Sequence, residues 1–70
     1  MEKELKKIIE IDNTAYIHYN DKTHSKRLYF KGGYVAKHHK EYFVFLTHGI
    51  KLHFYKFGDV LKTLKELNDE

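Results

Sequence analysis

The chain predicts an α+β domain: a small antiparallel sheet of four or five strands with one C-terminal helix packed on it. Three observations carry this expectation. Residues 42–47 and 50–55 are β-branched and aromatic runs separated by His48-Gly49, the pattern of a hairpin with a tight turn. Val60, Leu61, Leu64 and Leu67 recur at spacings of three and four, the stripe of an amphipathic helix. Between residues 15 and 31, apolar and polar positions alternate on either side of a polar stretch, the pattern of a second hairpin.

The elements follow in chain order. At the N-terminus, Leu5, Ile8 and Ile9 fit a helical stripe, whereas Ile9 and Ile11 fit the end of a strand. We favour a short strand over residues 7–11, turning at Asp12-Asn13, with a helix as the alternative. Ala15, Ile17 and Tyr19 then alternate with Tyr16 and His18, and Leu28 and Phe30 alternate with Tyr29 and Lys31. Residues 20–26 hold no apolar side chain and form the connection. Gly32-Gly33 is a turn or a bulge leading into Tyr34-Val35-Ala36. His38-His39-Lys40 is a polar link into the strand that starts at Glu41.

A two-residue turn at His48-Gly49 pairs Thr47 with Ile50, Phe45 with Leu52 and Phe43 with Phe54. Phe43, Phe45, Ile50, Leu52 and Phe54 then form the core face. Tyr42, Val44, Leu46, Lys51, His53 and Tyr55 form the other face, and a one-residue shift would flip one strand. Asp59 after Gly58 is the expected N-cap of the last helix, about nine residues long. Asn68, Asp69 and Glu70 are expected to fray.

Seventy residues make one domain, residues 1–70, and a chain of this size buries only about 60% of the surface it exposes when unfolded. There is no cysteine, which removes disulfides and thiolate zinc sites. The core must come from densely packed Phe, Tyr, Leu and Ile or from a partner subunit, so a homodimer is among the expected assemblies. The N-terminus is a charged run with no apolar segment of a leader, and no stretch approaches a membrane span. A cytoplasmic protein that does not enter the membrane is the expectation.

Charge is spread unevenly. Residues 21–57 carry eight of the thirteen basic residues against two acids, Asp21 and Glu41, with nine of the eleven aromatics and five of the six histidines. The flanks are acidic. A basic, aromatic-rich middle is the footprint of a surface that meets an anion.

Catalytic constellations are thin. The histidines lack the His-x3-His helical spacing of a metal site, and adjacent His38 and His39 would point to opposite faces of a strand. His18 and His53 meet only if their strands are neighbours. Collectively the histidines add positive charge to the centre as pH falls through about 6.5. Ser25 is the single serine and has no glycine-flanked elbow. Gly32-Gly33 lacks the Lys-Ser/Thr of a phosphate loop. A metal-independent ribonuclease using His, Tyr, Lys and Glu41 is the one enzyme reading, and those residue types recur on any basic surface. The expectation is binding without catalysis, and neither cofactor nor metal.

Nucleic acid of low sequence specificity is the leading partner. Arg27, Lys31, Lys37, Lys40, Lys51 and Lys56 are the candidates for phosphates, and Tyr42 and Tyr55 for stacking on bases. Tyr29 and Tyr34 are further candidates for an exposed face. Twelve lysines against one arginine favour backbone contact over base reading. The alternative is a small regulator or inhibitor whose interface is Tyr42, Val44, Leu46 and Tyr55. A protein of a mobile genetic element, directed at a host nucleic-acid-handling enzyme, would fit that alternative.

Overall fold

In the computed structural model, which describes residues 1–69, a helix precedes the sheet: α1 (Glu2–Ile9) leads to β1 (Tyr16–Asn20), β2 (Ser25–Phe30), β3 (Gly33–His38), β4 (Glu41–Leu46), β5 (Lys51–Phe54) and α2 (Phe57–Asn68). The five strands form one antiparallel sheet in the order β1-β2-β3-β4-β5, each hydrogen-bonded to its neighbour in the chain. The expected α+β architecture is present, with α2 on the sheet and a second helix beside it.

The strand expected over residues 7–11 is instead the end of a helix. Met1, Leu5 and Ile8 form its inner stripe, and Ile8 is fully buried. Glu2 and Glu4 in the first turn and Lys6 and Lys7 in the last complement the helix dipole. At the other end of the chain, α2 starts at Phe57 with Lys56 as N-cap, so Asp59 lies inside the first turn and does not cap. Val60 and Leu64 bury themselves on the sheet. Asn68 does not fray: its Nδ2 donates to the Ile11 carbonyl at 3.0 Å and ties the end of α2 to the chain leaving α1. Glu70 lies outside the described residues.

One face of the sheet is the core. Leu28, Val35 and Val44 pair directly across β2, β3 and β4, and all three are fully buried under the helices. Tyr42 and Leu46 flank this row from β4, and Leu52 and Phe54 extend it on β5. The expected assignment of faces is therefore half reversed: Leu52 and Phe54 face the helices, but Phe43 and Phe45 face away. The reason is the β4–β5 connection. Leu46 donates to the Ile50 carbonyl at 2.8 Å, and Gly49 has φ +90°, so Thr47, His48 and Gly49 form a three-residue loop. That extra residue pairs Phe43 with His53 and Phe45 with Lys51, one position from the expected register.

Two carboxylates fasten the helical layer to the sheet. Asp12 accepts from the backbone N–H of Lys31 at 2.8 Å and from Thr14, which holds its carboxyl below the ordinary value of 3.8. Burial pushes the Glu4 carboxyl up, but a backbone hydrogen bond, Lys37, the N-terminal amine and the Tyr42 hydroxyl outweigh it and leave it below 4.5. Tyr42 donates to Glu4 at 3.3 Å, and Lys37 lies at 3.6 Å. Folded-state values below the unfolded ones mean stabilisation that is present above the ordinary carboxylate range. It is lost as pH falls through the lowered values. Urea midpoints measured at pH 7, 5 and 3 should drop across the last interval. Glu4→Gln with Asp12→Asn should flatten that drop while lowering the pH 7 midpoint; an unchanged acid profile would refute the assignment.

Candidate nucleic-acid interface

Both helices lie on one side of the sheet, so the alternate residues of every strand form a second face that no element of the described chain covers. The register fixes what stands there. Tyr16 pairs with Tyr29, Tyr29 with Tyr34, Tyr34 with Phe45, and Phe45 with Lys51, one position from each of the five strands. The next row is His18, Arg27, Ala36, Phe43 and His53.

Side-chain geometry turns the first row into a continuous aromatic surface. Ring centroids are 5.5 Å apart for Tyr16–Tyr29, 5.3 Å for Tyr29–Tyr34 and 4.8 Å for Tyr34–Phe45. These separations lie within the range of favourable aromatic pairs. The second row continues as Phe43–His53 and His53–Tyr55, each at 4.7 Å. Two cations lie over the rings: the Arg27 guanidinium 4.7 Å from the centre of Tyr34, and the Lys51 amine 4.9 Å from Phe43 and 5.5 Å from Phe45. Neither makes an ion pair among the described residues. The one carboxylate on this face, Glu41, is engaged with His53 Nε2 at 3.0 Å. The face is aromatic, positively charged and accessible, with Tyr16 56% and Tyr55 72% exposed.

The candidates named from sequence divide sharply. Arg27, Lys51 and Tyr55 stand on or beside this face. Lys40 lies in the β3–β4 turn and Lys56 at the entrance to α2, both exposed at the rim. Lys31 lies in the β2–β3 turn with its backbone held by Asp12. Lys37 belongs to the helical side, where Glu4 raises its amine above the ordinary value. Tyr42 is not available for stacking on bases: it is buried, with its ring 5.3 Å from Phe57. Val44 and Leu46 are buried with it, so the protein interface expected on Tyr42, Val44 and Leu46 has no free surface. Both corrections have one cause, the inverted parity of β4.

Tyr16, His18, Phe43, Phe45 and His53 were absent from the sequence-level site. The signal that would have found Phe43, Phe45 and His53 is the polar set of β5, since Lys51 and His53 mark the solvent side and the three-residue loop carries that side to Phe43 and Phe45. His18 and His53 stand on opposite edge strands and do not meet. No group of three potential metal ligands converges among the described residues.

Another cavity, of about 310 Å³, lies where the helix ends meet the β2–β3 turn, lined by Ile8, Phe30, Leu64 and Leu67. Lys31, Asp12 and Asn68 also line it; Asp12 holds the Lys31 backbone N–H and Asn68 the Ile11 carbonyl, which makes it a structural seam. Among the described residues no helix is long and apolar enough to cross a membrane. No protein-family model, curated protein or solved structure matches this chain.

Proposed function

We propose that the protein binds single-stranded nucleic acid across the open face of its sheet. The observation that supports this reading is the aromatic row from Tyr16 to Phe45, with Arg27 and Lys51 laid over its rings. The ring faces that the row leaves uncovered, Tyr16 at its end foremost, offer stacking to any unpaired base, and a paired duplex hides the surfaces it needs. Exposed lysines at the rim neutralise phosphates without reading sequence, which makes the binding tolerant of base identity and sensitive to salt.

Fluorescence anisotropy with labelled single- and double-stranded oligonucleotides, at low and near-physiological salt, tests it. Single strands should bind more tightly, with log K falling against log[salt] at a slope of about −3 for four phosphates. Tyr29→Ala should weaken binding by about 1–3 kcal/mol with the circular dichroism spectrum unchanged. Lys51→Gln should make the salt slope shallower by about 0.7. No binding at low salt, or equal binding of duplex and of Tyr29→Ala, would sink the proposal. A protein partner or a second copy of the chain would then be the occupant to seek by pull-down and sedimentation.

A further inference from the structure

The β1–β2 and β3–β4 turns stand at the same end of the sheet, and between them lies an open groove where β2 and β3 run on past Arg27 and Ala36, their last mutual pair. We infer that this groove seats a phosphate group of the bound strand; the inference rests on the single-strand reading above and adds to it a defined anchoring point.

The lining carries the argument. Lys26, Arg27, Lys37, His24, His38 and His39 all border the groove, and no carboxylate does. Tyr34 and Phe45 of the aromatic row also line it, so the groove opens directly onto the stacking surface. Its volume is about 640 Å³, room for a phosphate and its sugar within the usual range of about 300–1,000 Å³ for small-ligand sites.

The charged neighbours leave this balance positive. Lys37 is shared with Glu4, which lies on the helical side and does not line the groove. His38 pairs across the sheet with Glu41, whose carboxylate is taken by His53. Met1 also borders the groove, and its amine lies 3.7 Å from Glu4. The Tyr19 hydroxyl lies 3.2 Å from His24 Nδ1, and Asp21 and Lys22 offset each other within the β1–β2 turn. Lys26 and Arg27 make no ion pair among the described residues. Arg27 and His38 reach the groove from the open side of the sheet, and Lys26 and Lys37 border it from the helical side, where β2 and β3 are no longer paired. Donors on both walls suit an oxyanion with three or more acceptor oxygens, and charge-assisted hydrogen bonds are the stronger kind.

The turns that carry the histidines are held in an unusual backbone. His24 has φ +54° and His39 has φ +57°, the left-handed region where residues other than glycine are uncommon. Histidine is among the residues enriched in that region, and both imidazoles stand at the mouth of the groove. The rings of His38 and His39 stand 4.3 Å apart, edge to face.

The test is a set of ¹H–¹⁵N correlation spectra of the whole protein, titrated with inorganic phosphate and with short thymidine oligonucleotides bearing a 5′-phosphate, a 3′-phosphate or neither. Amides of residues 24–27 and 37–40 should shift and saturate with oligonucleotide, and inorganic phosphate at millimolar concentration should move the same set. Shifts with every oligonucleotide identify an internal phosphodiester; shifts restricted to one phosphorylated end identify a terminal phosphate. Lys26→Gln with His38→Asn should weaken binding about tenfold while the amides of Tyr16 and Tyr29 still respond. Should oligonucleotides move Tyr16, Tyr29 and Phe45 with the groove amides still, the groove assignment fails and the stacking surface stands. Should no oligonucleotide move either region, the single-strand reading fails and the groove's role in it fails too.

Discussion

Gly33→Ala should unfold the domain. Gly33 opens β3 with φ +153° and pairs with both Phe30 and Leu46. A β-carbon there would run into the Phe45 carbonyl, 2.9 Å from the Phe45 carbonyl carbon and 3.0 Å from Leu46 Cα. These are backbone atoms in the best-paired part of the sheet, so no side-chain rotation relieves the overlap. The β3–β4 ladder must open or the β2–β3 turn must be rebuilt. Unfavourable backbone conformation alone costs about 1–3 kcal/mol, and the clash adds to it. A domain of this size holds about 4–10 kcal/mol in total. Chemical denaturation should show Gly33→Ala with little or no folded baseline at 25 °C. Gly32→Ala, whose β-carbon meets only the Phe30 ring, at 3.0 Å, is the control that should retain a cooperative transition. A Gly33→Ala protein of wild-type stability would show that the strand entry differs from the one described.

Leu28→Ala should cost about 2–5 kcal/mol, the range for emptying a fully buried leucine position. Leu28 sits between Ile17 and Val35 in the row beneath the helices, where little can collapse into the space it leaves. Its neighbours in sequence, Arg27 and Tyr29, point to the open face. The expected phenotypes are therefore opposite for adjacent positions. Leu28→Ala should lower the urea midpoint and leave the affinity of the folded fraction for oligonucleotide unchanged; Tyr29→Ala should do the reverse. Equal stability losses from the two substitutions would mean that the open face is covered in solution.

How far the sequence disclosed this arrangement depended on where polar residues broke a pattern. The strands of both hairpins and the last helix were legible because alternation and threefold-to-fourfold spacing were clean. β4 was different: Tyr42, Val44 and Leu46 on one side and Phe43 and Phe45 on the other are all apolar, so hydrophobicity alone did not choose the inner face. The larger rings looked like the core. The short valines Val35 and Val44 instead let the helices approach closely, and the phenylalanines went to the open side. What decided the matter was one residue of loop length at Gly49, a feature of turn geometry and not of hydrophobic content. α1 stood only as the alternative because Ile9 and Ile11 imitate a strand end, although Glu2, Glu4, Lys6 and Lys7 complement a helix dipole. The basic character of the site was visible throughout; the histidine-lined groove was not, because it needs two turns distant in sequence to share one end of the sheet.

The order of the strands bears on how the chain reaches this structure. Every strand lies beside its predecessor, so each pairing closes only a short loop, and hairpins of this kind form in about 1–10 μs. Topologies dominated by such local contacts cross their folding barriers quickly. The docking of the helices is the exception: the Asn68–Ile11 bond joins residues 57 positions apart, and the Tyr42–Glu4 bond residues 38 positions apart. A nascent chain can thus assemble its sheet strand by strand, but the buried row of Leu28, Val35 and Val44 stays without the cover of Val60 and Leu64 until the last helix is made. Until then part of the apolar core face stays uncovered, and that interval is when the chain is most exposed to aggregation.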